Sequence, residues 1–247
     1  MKVAAYQALL GPCNANDALA LIRERVHQCE RAGVEILCCP EGVLGGLADY
    51  SSNPADIAIE VENGQLLERL TPLASETVTT IVGFTEIGPE GRLFNSAAIF
   101  KQGAVVGVYR KLHPAINRSV YHAGSEMPVF TVGALTFGVI ICRDSTFAEP
   151  ARVMASLGAT ALFVPTNTGM PACKGGARVV AEAKKCDVAL TVENGLSVIR
   201  ADVVRGTSDL VAHGATWIMD RAGRLLASTR ELDADLIIAE IDIAPRG

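Results

Sequence analysis

Apolar residues in this chain come in short, unbroken runs, and that habit constrains the fold more than any other feature of the sequence. The segments 3–10 and 34–39, then TTIVGFTEI, SAAIFKQGAVVGVYRKL, LTFGVIIC, TALFVP, LSVIRADVV, ATWIMD, RLLAST and DLIIAEIDI, are separated by Gly, Pro or polar residues. A strand with one wet face alternates apolar and polar side chains, whereas a strand covered on both faces does not. The sheets of this chain therefore lie between other layers. One covering layer is already legible between the first two runs. Ala18, Leu21, Ile22, Val26 and Cys29 recur at spacings of three and four, in a stretch that opens on Asn and Asp and closes on Gly33. That is an amphipathic helix, so the chain begins β-α-β.

Further helices are expected over 64–76, although Pro72 interrupts that stretch, over FAEPARVMASLGA and over 177–190. Pro150 falls in the first turn of the second of these, where proline is tolerated. KQG and DRAG supply turns. Helices alternate with strands in the first and third quarters, while hairpins fill the middle and end. The reading is an α/β fold with a mixed sheet, or two sheets with helices outside. No linker, low-complexity tract or fixed-period repeat divides the chain, and residues 1–247 read as one domain with ample apolar content for a core.

The formal charge of −5 comes without any basic stripe. Nucleic acid needs clustered Lys and Arg to neutralise phosphates, so a small molecule is the expected partner. The first apolar run is broken by Gln7 and then by Asn14, Asn16 and Asp17, and no run reaches the ~18–20 apolar residues that span a bilayer. The expectation is no membrane association and a cytoplasmic setting. The 7 cysteines are odd in number and form no CxxC pair, and the 4 histidines lack metal-ligand spacing. GPCNAN and GVLGG do not fit a phosphate-cradling fingerprint. Neither a disulfide framework, nor a metal, nor a cofactor is expected.

Three apolar strands end on a reactive residue: Glu41 in EILCCPEGVLGG, Lys111 in VVGVYRKLHP and Cys142 in LTFGVIICRDSTFAEPAR. Singly, each has a plain structural reading, as a loop carboxylate, a solvated basic edge and an inert buried thiol. Together they are chemistry. A cysteine becomes a nucleophile when a base takes its proton or a positive charge holds its thiolate. Glu41 suits the first task and Lys111 the second, and Lys111 also suits the oxyanion of an attacked carbonyl or nitrile. The backbone N–H of Arg143, opening the turn after the cysteine, is a second candidate oxyanion donor. Tyr121, Thr166 and Asn167 complete the candidate substrate contacts. Arg118, Arg143 and Lys174 are equally able to bind a carboxylate or to sit as surface charges.

CPEGVLGG, YRKLHP and GVIICRDSTFAEPAR, in this order and separation, resemble the three signature regions of the nitrilase or carbon–nitrogen hydrolase superfamily. The first strand ending in Gln7, AEAKKCDVALTVENGLSVIRADV and GATWIMDRAGRLLA extend the likeness along the chain. The resemblance implies a four-layer α-β-β-α sandwich, a Glu–Lys–Cys triad at Glu41, Lys111 and Cys142, a homodimer or higher homo-oligomer, and metal-free hydrolysis of amides, carbamoyl groups or nitriles through a thioester or thioimidate. It leaves three readings: an amidase-type enzyme, a nitrile hydrolase with the same triad, or a silent binding and assembly module. Two positions depart from the pattern. Counting back from Gly124, Asn117 stands where many members carry a second glutamate, and Ala148-Glu149 replaces Pro-Glu, with Arg152 available to pair with Glu149.

Overall fold

The computed structural model describes residues 1–10, 15–171, 176–206, 210–229 and 232–244. The apolar runs form two sheets packed face to face, with helices on both outer faces, an α-β-β-α sandwich. Strand Lys2–Leu9 shows why its run is unbroken. Val3 and Ala5 enter the core between the sheets, while Ala4 and Tyr6 enter the core beneath the outer helices. Alternate side chains serve different cores, so both must be apolar.

In the first sheet, Lys2–Leu9, Ile36–Cys38, Thr79–Ile87, Leu93–Lys101 and Ala104–Arg110 follow one another in space, the last of them at the sheet's edge. The second sheet runs Leu225–Ser228, Trp217–Met219, Ser197–Ala201, Ala161–Pro165, Leu135–Val139 and Val129–Val132. Helix α1 (Ala15–Ala32) and helix α2 (Gln65–Leu70) cover the first sheet, burying Ile22, Val26, Cys29, Leu66 and Leu70. Helix α3 (Ala148–Ser156) and helix α4 (Ala177–Asn194) cover the second, where Met154 packs over the strand Leu135–Val139 and Val180 and Ala183 pack on Trp217.

The structure corrects the expected elements at several points. The helix expected over 64–76 stops at Leu70 and continues as a 3-10 turn through Thr71–Leu73, because Pro72 has no N–H to carry the ladder on. Helix α4 runs past residue 190 to Asn194, where Gly195 closes it at φ 59°. The run LSVIRADVV is two strands, not one. Ser197–Ala201 belongs to the second sheet and Val203–Gly206 to the first. The chain changes sheets at the fully buried Asp202, whose carboxylate accepts from Thr168 N (2.9 Å) and Oγ1 (2.7 Å), Val203 N (2.7 Å) and Ala215 N (2.8 Å). Burial pushes that carboxyl above its ordinary range, and these bonds pull the other way. Among the described residues no helix is long and apolar enough to cross a membrane.

Candidate active site

Glu41 stands three residues beyond the strand Ile36–Cys38, and Lys111 directly follows Ala104–Arg110. Both are 2 % exposed, and Lys111 Nζ lies 2.5 Å from Glu41 Oε1. Asn95 Nδ2 donates to the same oxygen at 2.7 Å, and Asn167 N donates to Oε2 at 2.9 Å. The backbone N–H of Glu41 is itself held by Thr166 O at 3.2 Å. A carboxylate with both oxygens engaged by fixed donors has little freedom to turn. Two glycines let the backbone come this close. A Cβ at Gly83 would lie 2.5 Å from Pro40 O and 2.8 Å from Glu41 Cα, and one at Gly124 would lie 2.4 Å from Arg110 O. Burial draws the Lys111 amine down, but the charge of Glu41, its hydrogen bond and the negative charges of Cys142 and Asp144 together outweigh it and hold the amine above its ordinary value. Lys111 stays cationic.

Cys142 opens a 3-10 turn, Cys142–Thr146, and adopts φ 46°, a left-handed conformation rare for a residue with a side chain. Such a backbone costs about 1–3 kcal/mol and needs an external clamp. Asp144 supplies one. Its buried carboxylate accepts from Ile141 N (3.1 Å), His113 N (2.8 Å) and Tyr109 Oη (2.8 Å), and it lies 2.9 Å from His113 Nδ1. The turn that carries Cys142 is thereby tied to the segment that follows Lys111. A second clamp comes from Arg200, which forms a buried two-pronged pair with Asp187 at 2.6 and 2.5 Å. Its guanidinium also donates to Thr166 Oγ1 (2.7 Å) and Ser145 Oγ (2.8 Å), and Ser145 Oγ donates to Cys142 O (2.9 Å). Trp217 Nε1 completes the Asp187 carboxylate at 2.8 Å.

Burial pushes the Cys142 thiol up to about 12, and the charge of Glu41 adds to that. Lys111, Arg200 and the Asn167 backbone N–H pull the other way without cancelling it. The resting sulfur is therefore a protonated thiol. A protonated thiol attacks only with a base to take its proton, and Glu41 is the carboxylate whose charge this one feels.

A cavity of about 40 Å³ adjoins Glu41 and Lys111 and is lined also by Leu47, Asp49, Asn95, Ile116, Tyr121 and Asn167. At roughly 10–15 Å³ per enclosed water, that is room for a few non-hydrogen atoms. Of the residues singled out in the sequence, Tyr121 lines this cavity with its hydroxyl between Ala48 N (2.6 Å) and Thr85 Oγ1 (2.8 Å). Thr166 and Asn167 hold Glu41 through their backbones. Asn117 is not brought in. It is exposed, on the loop beside Arg118, and does not line the cavity. The Arg143 side chain is also exposed and donates to Ala115 O at 2.8 Å, bracing that loop. Glu149 and Arg152 are exposed and, among the described residues, form no ion pair, and Lys174 lies outside the described residues. Asn95, Asp144, Asp187 and Arg200 went unread in the sequence. For Asn95 and Arg200 the available signal was a polar or charged residue inside an apolar run, since burial there demands a partner.

Five described cysteines, 29, 38, 39, 142 and 186, are free thiols. Among the described residues no group of three His, Cys, Asp or Glu is placed to hold a metal ion. A larger cavity of about 520 Å³, around the Glu86–Arg110 pair and His122, contains none of Glu41, Lys111 and Cys142.

Residues 2–246 match the family model described as carbon-nitrogen hydrolase. A protein named nitrilase from Pyrococcus abyssi is 27% identical over 93% of this chain and 84% of its own length. An N-carbamoylputrescine amidase from Solanum tuberosum is 28% identical over 71% of this chain and 63% of its own length. Among solved structures, an amidase from Nesterenkonia sp. superposes with a TM-score of 0.79 at 22% identity, covering 96% of this chain and 89% of that one.

Proposed function

Taking as premise that the chain belongs to the carbon–nitrogen hydrolase family, we propose that it cleaves the C–N bond of a small amide or carbamoyl compound, with Cys142 as nucleophile, Glu41 as general base and Lys111 as oxyanion support. The observation that carries this reading is the buried 2.5 Å contact between Lys111 and Glu41, beside a thiol whose acidity responds to both. As Cys142 Sγ attacks the carbonyl carbon, its proton passes to Glu41. Negative charge developing on the carbonyl oxygen is met by Lys111 and by the backbone N–H of Arg143. The C–N bond breaks as the nitrogen takes the proton from Glu41 and leaves as ammonia or an amine. Glu41 then deprotonates water, which attacks the thioester, releases the acid and restores the thiol.

The small cavity beside Glu41 and Lys111 supports a compact substrate, and the relative named N-carbamoylputrescine amidase supports an amide or carbamoyl compound. A single hydrolase domain over residues 1–247, a homodimeric assembly and a cytoplasmic setting belong to the same proposal, the first supported by the span of the family match. The test is ammonia release from a panel of primary amides, N-carbamoyl amines and nitriles. Turnover of an amide or carbamoyl compound is expected. Turnover of nitriles alone would transfer the triad to the nitrile reading, and release from none of them would leave a binding module.

A further inference from the structure

Three charged residues line the small cavity, and two of them, Glu41 and Lys111, cancel as a pair. The third is Asp49, half-buried in the cavity wall and, among the described residues, without an ion-pair partner. Its carboxylate receives only the Ser119 hydroxyl, 2.9 Å from both oxygens, and the Val120 N–H, 2.8 Å from Oδ1. An ionised carboxylate offers roughly four acceptor sites, so about half of them stay open. The cations able to bind a substrate carboxylate are not gathered here. Arg118 is exposed and does not line the cavity, Arg143 is spent on Ala115 O, and Lys174 lies outside the described residues. Tyr50 puts the Asp49 charge in the same space as the triad. It lines the cavity beside Asp49, and its phenol is pushed up by burial and then by the charges of Asp49, Glu41 and Cys142, with Lys111 opposing. In a cleft with low-dielectric walls, an unbalanced charge concentrates ligands of the opposite sign.

We infer that Asp49 selects substrates that carry a positive charge, an ammonium group a short spacer away from the scissile C–N bond, and turns away amides that carry a carboxylate. The inference rests on the function proposed above and narrows its substrate class. An ammonium group supplies the hydrogens that the open sites of the carboxylate lack, in a charge-assisted bond. A substrate carboxylate would meet Asp49 as a like charge, with no free cation among the described lining residues to offset it.

The probes are primary amides in three charge states at two spacer lengths. They are β-alaninamide and γ-aminobutyramide, their uncharged counterparts butyramide and valeramide, and the monoamides of succinic and glutaric acid. The reading is kcat/KM for ammonia release at neutral pH. The parent protein should favour the cation over its uncharged counterpart by about tenfold, the scale of one charge-assisted hydrogen bond, and the uncharged amide over the anion. Asp49→Asn keeps the shape and an oxygen to accept from Ser119 and Val120 but removes the charge. It should bring the cation and its uncharged counterpart to near parity and speed the anion. Weakened positioning of the cavity wall slows all three charge states by one factor, so unchanged ratios in Asp49→Asn overturn the inference and leave the proposed function standing. A parent protein that favours the uncharged or anionic amides overturns it without any variant, so the test survives a poorly folded Asp49→Asn. Should none of the probes turn over, the same order is read from the rise in unfolding temperature that each one gives, and equal rises overturn the inference. The proposed function falls only if the wider panel of amides and N-carbamoyl amines is inert as well.

Discussion

Glu41→Gln should make the enzyme inactive and its nucleophile more reactive. The side chain keeps its shape and an oxygen that can still accept from Lys111, but it can no longer take a proton. Loss of a general base costs ~10²–10⁴ in turnover. The effect on the thiol runs the other way. The charge of Glu41 is part of what holds Cys142 near 12, and Lys111 opposes it. Removing the negative charge leaves the lysine uncompensated, so the thiol pKa falls. A neighbouring charge is worth ~1–3 pKa units. Taking ~2 units, the thiolate fraction at pH 8 rises ~100-fold, while the nucleophilicity of each thiolate drops by ~0.4–0.5 log units per pKa unit. The net gain in alkylation is about tenfold. The assay is iodoacetamide labelling of Cys142 followed by peptide mass spectrometry, run beside turnover. In the parent protein labelling should climb with pH well past 10, because a raised pKa means that thiolate is gained only toward high pH. In Glu41→Gln the climb should come earlier. Labelling that falls in step with turnover would refute the claim that Glu41 keeps the resting sulfur protonated.

Gly83→Ala would drive a Cβ to within 2.5 Å of Pro40 O and displace the segment that carries Glu41. A shift of ~1 Å at a catalytic group costs on the order of 10²-fold, so kcat/KM should drop by that much with the circular dichroism spectrum retained; an unaltered rate would show that Glu41 is not held by this contact. Arg200→Met strips the buried Asp187 of its charge partner and should lower the unfolding free energy in urea by about 3–5 kcal/mol, and a loss under 1 kcal/mol would mean that the pair is not the brace argued for. Asn117→Ala should leave kcat/KM within about twofold, as exposed substitutions away from such features do. A large loss would place that residue against the substrate.

The strand ends that carry Glu41, Lys111 and Cys142 could be read from the sequence because each joins an unbroken apolar run to a reactive residue, and that pattern is local. Burial of the strands on both faces was legible for the same reason, which left a mixed sheet or two sheets open, and only the likeness to the family pointed to the double layer. What escaped was non-local. Nothing in LSVIRADVV marks Asp202 as the corner between two sheets, since apolar residues flank it on both sides and its partners, Thr168 and Ala215, are far along the chain. Arg200 looks like an interruption of that same run until Asp187, on the preceding helix, is set against it. Asn117 misled through counting. Its distance from Gly124 fits the family pattern, but the loop carries its side chain into solvent while Asn95, in the middle of a strand, reaches Glu41. The left-handed backbone of Cys142 is equally silent, because nothing but glycine announces such a conformation in sequence.

Rapid acid quenching of the protein during turnover of an amide substrate tests the central claim most directly, with intact and peptide mass spectrometry as the readout. The account predicts an acyl group, equal in mass to the substrate less ammonia or amine, on the peptide bearing Cys142, and neither adduct nor turnover in folded Cys142→Ala protein. Continued turnover by Cys142→Ala, or an acyl group borne by another residue, would contradict it.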